Sequence, residues 1–284
     1  MREFPVFVPH GPEHLAAVLT VPDGPPRGLV LLVTGTGAPR SHRFQLWTRV
    51  CRRLAEDGLA SARMDYFGSG DSTGRVVERR MGQLELRIDE ASAVARFALE
   101  ALGMNRLATL GNCSGGLVAM GVAARSPSSV GTVCILPRVL QPNRVNQVVI
   151  GLRGSWAASV VRSSRFLRRV TQPLRGRKGK PRSVVQEWFG IVLARGPLLF
   201  VYSKKDTDAY NEESMAQIRR MLGPLPREQR DRLDVQVLED GPLSGFESLE
   251  IQRQVIDIVA GFATACFPPE PRQEIESPAA SAAS

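Results

Sequence analysis

This sequence of 284 residues has no long apolar run, no closely spaced cysteines and few histidines. No uninterrupted apolar stretch reaches the roughly 18 residues that a membrane-spanning helix requires, so no membrane span is predicted. The four cysteines, at positions 51, 113, 134 and 266, show neither the pairing of a disulfide framework nor the spacing of a zinc site. Prolines occupy the place of a signal peptide's apolar region, and we therefore expect a cytoplasmic protein.

Histidine occurs three times, at positions 10, 14 and 42, which limits the choice of a catalytic base. The first two lie in a predicted N-terminal hairpin and are set aside. The loop Thr34-Gly35-Thr36-Gly37 lacks the third glycine of a dinucleotide-binding fingerprint. No cofactor and no metal are therefore expected.

Apolar segments and amphipathic segments alternate through most of the chain. Runs at 28–34, 59–64, 107–110, 130–136, 197–203 and 233–238 predict strands, and the segments 83–102, 117–124, 211–222 and 246–265 predict helices. This alternation predicts an α/β fold, a mainly parallel sheet with helices on both faces. In such a sheet a ligand binds beyond the carboxyl ends of the strands.

A further helix is predicted to begin at Ser41 or His42, after the strand at 28–34. The apolar residues on its predicted buried face are Phe44, Trp47, Val50, Cys51 and Leu54. Gly58 is a suitable residue to end it.

Residues 137–195 interrupt the alternation and are too long for a plain connection, so we predict an inserted helical cap or lid there. The α/β core is accordingly assigned to residues 1–136 and 196–266. Residues 267–284, rich in proline, serine and alanine, are predicted to form a disordered tail.

The segment Gly111-Asn112-Cys113-Ser114-Gly115 has the spacing of a nucleophile elbow, with cysteine in the place that serine usually takes. A strand that turns sharply into a helix needs small residues two positions before and after the nucleophile. Cys113 satisfies this spacing. If Ser114 were the nucleophile, Asn112 would lie two positions before it, where a small residue is needed, and asparagine is too large. The alternative is a glycine-rich turn with a buried structural cysteine.

With these features the chain resembles the α/β-hydrolase superfamily from about residue 4 to residue 266. The resemblance is carried by the elbow, by the loop Arg63-Met-Asp-Tyr-Phe-Gly-Ser-Gly-Asp-Ser72 and by Asp206 after a late strand. Within the superfamily, that loop, Ser41-His-Arg-Phe44 and Ser203-Lys-Lys-Asp-Thr-Asp-Ala209 are similar to exosortase-system-associated hydrolases.

The resemblance implies a role for each of these residues. Cys113 is implied as the nucleophile and Asp206 as the acid of a triad. The N–H of Ser114 and an N–H from the loop at Thr36 are implied as the oxyanion hole. The alternative for Asp206 is a solvated loop carboxylate.

The triad histidine of the superfamily follows the last strand, but the loop at residues 239–246 contains none. His42 follows the strand at 28–34, on the side of the sheet that carries the elbow. It is predicted either as a substitute base or ligand contact, or as a packing or helix-capping residue.

Three interpretations therefore remain open. The first is an acyl-group enzyme, esterase, thioesterase or acyltransferase, acting on an ester or thioester through Cys113, and it is the one we favour. The second is a non-hydrolytic lyase, and the third is a catalytically impaired relative that binds a ligand or a carrier protein.

Basic residues are concentrated between positions 138 and 190. This segment contains twelve lysines and arginines and one acidic residue, Glu187. This segment is either a solvated face of the lid or a recognition surface for an anionic partner. Arg168, Arg169, Arg175 and Arg177 are the candidate contacts for coenzyme A or an acyl carrier protein. Aromatic residues are few there and no nucleic-acid-binding module is visible, so nucleic acid is not expected.

Overall fold

The structure, a computed structural model, describes residues 1–35, 38–74, 84–137 and 184–268. Its sheet has the strands β1 (Arg2–His10), β2 (Glu13–Val21), β3 (Leu29–Val33), β4 (Ala60–Met64), β5 (Leu107–Asn112), β6 (Ser129–Ile135), β7 (Leu198–Ser203) and β8 (Leu233–Leu238).

The eight strands form one sheet in the order β1-β2-β4-β3-β5-β6-β7-β8. Strand β2 pairs antiparallel with both of its neighbours, and the pairs from β4 to β8 are parallel. Strand β3 lies in the middle, with Leu31 opposite Ala62 on one side and Thr109 on the other. All five residues of β3 are buried, which explains its continuous apolar sequence. The predicted fold class is confirmed.

Helices cover both faces of this sheet. They are α1 (Leu46–Glu56), α2 (Leu84–Ala101), α3 (Ser114–Arg125), α4 (Val184–Arg195), α5 (Glu212–Leu222), α6 (Arg227–Arg230) and α7 (Leu249–Cys266). Helix α1 packs against α7, while α3 packs against α2 and α4. No helix among the described residues is long and apolar enough to cross a membrane.

The start of α1 differs from the prediction. A turn of 3-10 helix at Arg43–Gln45 precedes the helix, and Phe44 and Gln45 both have φ near 53°. This left-handed backbone interrupts the predicted first turn and leaves Phe44 55% exposed rather than in the core. Trp47 and the other residues of the predicted face are buried.

Helix α4 lies inside the range that was assigned to the cap, and its apolar side chains belong to the main core. Trp188, Phe189 and Leu193 are buried there. The helix leads directly into β7, as a crossover helix in a parallel sheet does. The rest of the predicted cap and the tail from residue 269 lie outside the described residues.

The carboxyl end of α7 is attached at the amino ends of the central strands. Arg106 precedes β5 and donates to the carbonyl of Cys266 at 2.7 Å, and Arg27 donates to the carbonyl of Phe267. The ring of Phe267 fills the space that a side chain on Gly28 would need. These contacts fix the end of the last helix at the amino ends of the strands. The elbow lies at the opposite, carboxyl ends.

Candidate active site

Cys113 stands at the apex of a sharp turn between the end of β5 and the start of α3. Its φ of 53° and ψ of −121° lie in a region that residues with a side chain rarely adopt. Its N–H donates to the carbonyl of Ile135 at 2.8 Å, which fixes the turn to the neighbouring strand β6. The thiol side chain is partly exposed, unlike those of Cys51, Cys134 and Cys266.

Glycines at positions 111 and 115 allow this turn, because the backbone of α3 lies directly against the backbone of β5 and of the residues at the end of β3. A Cβ at Gly111 would lie 2.1 Å from the carbonyl oxygen of Gly115. A Cβ at Gly115 would lie 2.6 Å from the carbonyl oxygen of Thr34, at the end of β3. Any side chain at either position would separate the helix from the sheet. The spacing therefore makes Cys113, and not Ser114, the residue at the apex.

The loop after β3 lies directly against the elbow. A Cβ on Gly35 would be 3.3 Å from the Cβ of Cys113, and the N–H of Gly35 donates to the side-chain Oδ1 of Asn112 at 3.2 Å. Ser114 is the first residue of α3 and is partly exposed. Thr36, the other predicted contributor to an oxyanion hole, lies outside the described residues.

The side chain of Asn112 connects this loop to His42. Because its Oδ1 accepts from Gly35, its Nδ2 faces the Nε2 of His42 at a distance of 3.0 Å. Nδ2 can only donate, so Nε2 accepts and the imidazole proton resides on Nδ1. No sequence signal indicates this role, since the three residues are far apart in the chain.

His42 is a buried, neutral side chain. It is 8% exposed and packs between the rings of Trp47 and Phe246, with ring centroids 5.3 and 5.1 Å away. Burial, together with the nearby charge of Arg43, lowers its pKa to about 4. Its accepting nitrogen is already engaged by Asn112, and no hydrogen bond joins it to Cys113 among the described residues.

Asp206 follows β7 and is 8% exposed. Its Oδ2 accepts the backbone N–H of Leu243 at 2.5 Å, in the loop after β8. A second contact between these loops is the hydroxyl of Ser203, which donates to the carbonyl of Gly241 at 2.7 Å. Leu243 is 1% exposed, so an apolar residue is packed into the loop beside the carboxylate.

No hydrogen bond joins Cys113, Asp206 and His42 to one another in the part of the chain that the structure describes. His10 ends β1 and His14 lies in β2, so both belong to the N-terminal hairpin, and His42 contacts Asn112. Among the described residues, no imidazole bonds to Asp206 or to Cys113, and no group of three acidic, histidine or cysteine side chains could hold a metal ion. Arg168, Arg169, Arg175 and Arg177 lie outside the described residues.

The order of the strands together with the strained turn at Cys113 defines an α/β hydrolase fold. A family model described as serine aminopeptidase, S33, matches residues 24–187, and the chain belongs to this family. That description names a serine enzyme, whereas this chain has cysteine at the apex of the turn.

Solved structures of low sequence identity share the fold. An esterase of Pyrococcus furiosus is 15% identical with a TM-score of 0.67, covering 94% of this chain and 92% of its own. A carboxyl esterase of Bacillus coagulans, solved with glycerol, is 15% identical with a TM-score of 0.67 and covers 94% and 100%. Est1E of Butyrivibrio proteoclasticus, solved with ferulic acid, is 18% identical with a TM-score of 0.64 and covers 92% and 98%. No curated protein matches the sequence.

Replacing Gly111 with alanine tests the packing of the elbow. Because the added methyl group would meet the Gly115 carbonyl, we expect the free energy of unfolding to fall by about 1–3 kcal/mol or more. Urea denaturation measures this change. The matched control is Gly261→Ala in α7, where nothing lies within 4 Å of the new methyl group. That variant should be as stable as wild type or gain up to about 1 kcal/mol. Equal stability of both variants would contradict the packing.

The buried state of His42 predicts a pH dependence of stability. Its pKa is about 4 in the folded chain against an ordinary 6.5, so below about pH 6.5 the unfolded chain binds a proton that the folded chain does not. The free energy of unfolding should therefore fall as the pH decreases from 6.5 to 4, by up to roughly 3 kcal/mol. His42→Gln lacks this titration, so its stability should depend less on pH over the same window. If the free energy of unfolding depends on pH in the same way in wild type and in His42→Gln, the lowered pKa of His42 would be contradicted.

Proposed function

We propose that this chain is an acyl-group enzyme in which Cys113 accepts an acyl group from an ester or a thioester. The observation that carries the proposal is the strained position of Cys113, at the carboxyl end of a central strand and at the amino end of α3. Cys113 is partly exposed, whereas the other three cysteines are buried. The thiolate is the nucleophilic form of cysteine.

The reaction begins with the attack of the Cys113 thiolate on the acyl carbonyl carbon. A bond forms between sulfur and carbon, and the bond to the leaving alcohol or thiol breaks. The leaving group takes up a proton from solvent, which balances the proton that the thiol has lost. The N–H of Ser114, with a second from Thr36, is proposed to stabilise the negative oxygen of the intermediate.

The surroundings of Asp206 support transfer over rapid hydrolysis. Water needs a general base to attack a thioester efficiently, and the carboxylate of Asp206 instead accepts the backbone N–H of Leu243. A cysteine can be acylated without such a base, because a few per cent of an ordinary thiol is ionised at neutral pH. We therefore propose a long-lived acyl-Cys113 that passes its acyl group to a thiol or an amine.

The contacts of His42 argue against its predicted role as a base. Its Nε2 accepts from Asn112, and burial lowers its pKa to about 4. The alternative prediction, a packing residue, agrees better with its position between Trp47 and Phe246.

The acyl donor is proposed to be a small-molecule ester or thioester. We propose coenzyme A or an acyl carrier protein as the acyl carrier because residues 138–190 are strongly basic. The proposed contacts are Arg168, Arg169, Arg175 and Arg177.

Acylation of Cys113 is tested by mass spectrometry of the intact protein and of its peptides. The wild-type protein is incubated with p-nitrophenyl butyrate and, separately, with butyryl-coenzyme A. We expect one butyryl group per chain, on Cys113, because the other thiols are buried.

Two variants control this experiment. Cys113→Ala should take up no acyl group. Cys51→Ala should be acylated like wild type, because Cys51 lies in α1, is fully buried, and burial raises the pKa of its thiol. Absence of an adduct in wild type with both donors would overturn the proposal and favour the ligand-binding or non-hydrolytic alternative.

A histidine at position 243 should restore a general base beside Asp206. The backbone of Leu243 is already bonded to that carboxylate, so an imidazole there starts close to it. We expect Leu243→His to raise the rate of deacylation by roughly 10²–10⁴, the usual contribution of a general base. Loss of the butyryl group over time, followed by mass spectrometry, measures this rate. Leu243→Gln is the matched control, since it adds polarity without a titratable group. Equal deacylation in both variants would show that this position does not serve Cys113.

A further inference from the structure

The loop between β3 and α1, whose described residues are 34–35 and 38–45, is held by a second loop that follows β4, residues 65–74. Asp65 is the centre of this contact and is 1% exposed. Its Oδ1 accepts the backbone N–H of Arg40 at 2.7 Å, and its Oδ2 pairs with the guanidinium group of the same arginine. One carboxylate therefore fixes both the main chain and the side chain of Arg40.

The loop at 65–74 is folded closely around this carboxylate. The N–H of Asp71 donates to Oδ2 of Asp65 at 3.2 Å, and the Asp71 side chain pairs with Arg40 at 2.6 Å. Gly70 has a φ of 55°, and a Cβ there would lie 2.1 Å from the same Oδ2. Only glycine fits at this point, so the backbone of the loop encloses the carboxylate closely.

A second contact holds the beginning of the β3–α1 loop. Tyr66, the residue after Asp65, is buried and its hydroxyl donates to the carbonyl of Thr34 at 3.4 Å. Gly35 comes next and lies against Cys113, with its N–H on the side chain of Asn112. The contacts of Asp65 and Tyr66 thus continue through Thr34 and Gly35 to the elbow.

From these contacts we infer that Asp65 is a positioning residue for the reaction at Cys113, holding the β3–α1 loop against the elbow through Arg40. The inference rests on the proposed function and adds to it a residue that does not touch the substrate. Such a residue affects the acylation of Cys113, which depends on the geometry around the acyl carbonyl. It does not affect simple alkylation, which needs only an accessible thiol.

Asp65→Asn is the first test. The amide keeps the size of the side chain but turns an NH2 group toward the donors of Arg40 or of Asp71. We expect acylation of Cys113 by p-nitrophenyl butyrate to slow by roughly 10- to 100-fold, as a small displacement of a reacting geometry does. Alkylation of Cys113 by iodoacetamide should remain at the wild-type rate. Hydrogen exchange of the peptide that contains the Arg40 amide should become faster, while exchange in α7 stays unchanged.

A second variant and a control accompany it. Gly70→Ala pushes a methyl group into the Asp65 carboxylate and should give the same three results. Asp57→Asn removes one of the two carboxylate partners of Arg53 at the end of α1, away from the loop, and should give none of them.

These measurements distinguish the positioning role of Asp65 from the proposed acylation of Cys113. Unchanged hydrogen exchange at Arg40 in both variants would overturn the role of Asp65, whatever the acylation rate. A parallel loss of acylation and alkylation would overturn it too, because the thiol itself would then have changed. If wild-type Cys113 takes up no acyl group at all, the proposed function fails, and hydrogen exchange alone decides whether Asp65 holds the loop.

Discussion

The active-site region depends on one contact between main chains, where α3 lies directly on β5 and β3. Gly111, Gly115 and the carbonyl of Thr34 approach so closely that no side chain fits among them. This contact holds Cys113 in its strained backbone conformation with a positive φ. The same contact brings the end of β3 to the elbow, so the loop that begins there must pass close to the cysteine. A strained cysteine and an adjacent loop are thus two results of one packing requirement.

Buried carboxylates then join the loops at this end of the sheet. Asp65 connects the loop after β4 to the loop after β3, and Asp206 connects the loop after β7 to the loop after β8. Both accept a backbone N–H rather than a side chain alone, which restrains the main chain of the neighbouring loop. Asp206 therefore has a structural task here that does not require a histidine.

The sequence predicted the sheet and the elbow well, because both depend on local patterns. Buried parallel strands need continuous apolar runs, as in Leu29–Val33, and the sharp turn needs glycines at a fixed spacing. The contacts within the site could not be predicted in this way. Asn112 bonds to residues 77 and 70 positions away, and Leu243 meets Asp206 through its backbone, which carries no residue-specific signal. The late start of α1 also escaped prediction, since periodicity indicates a helical face but not the left-handed residues before its first turn.

The attachment of the last helix has a practical consequence for handling the protein. Arg27 and Arg106 bind the end of α7 beneath the amino ends of β3 and β5, and Cys113 lies beyond the carboxyl end of β5. The chain thus reaches residue 268 at the amino ends of the central strands, and the thiol lies at their carboxyl ends. An affinity tag, a fluorophore or a surface linker joined after that residue starts from the opposite end of the strands, so immobilised protein would present its reactive end to the solution.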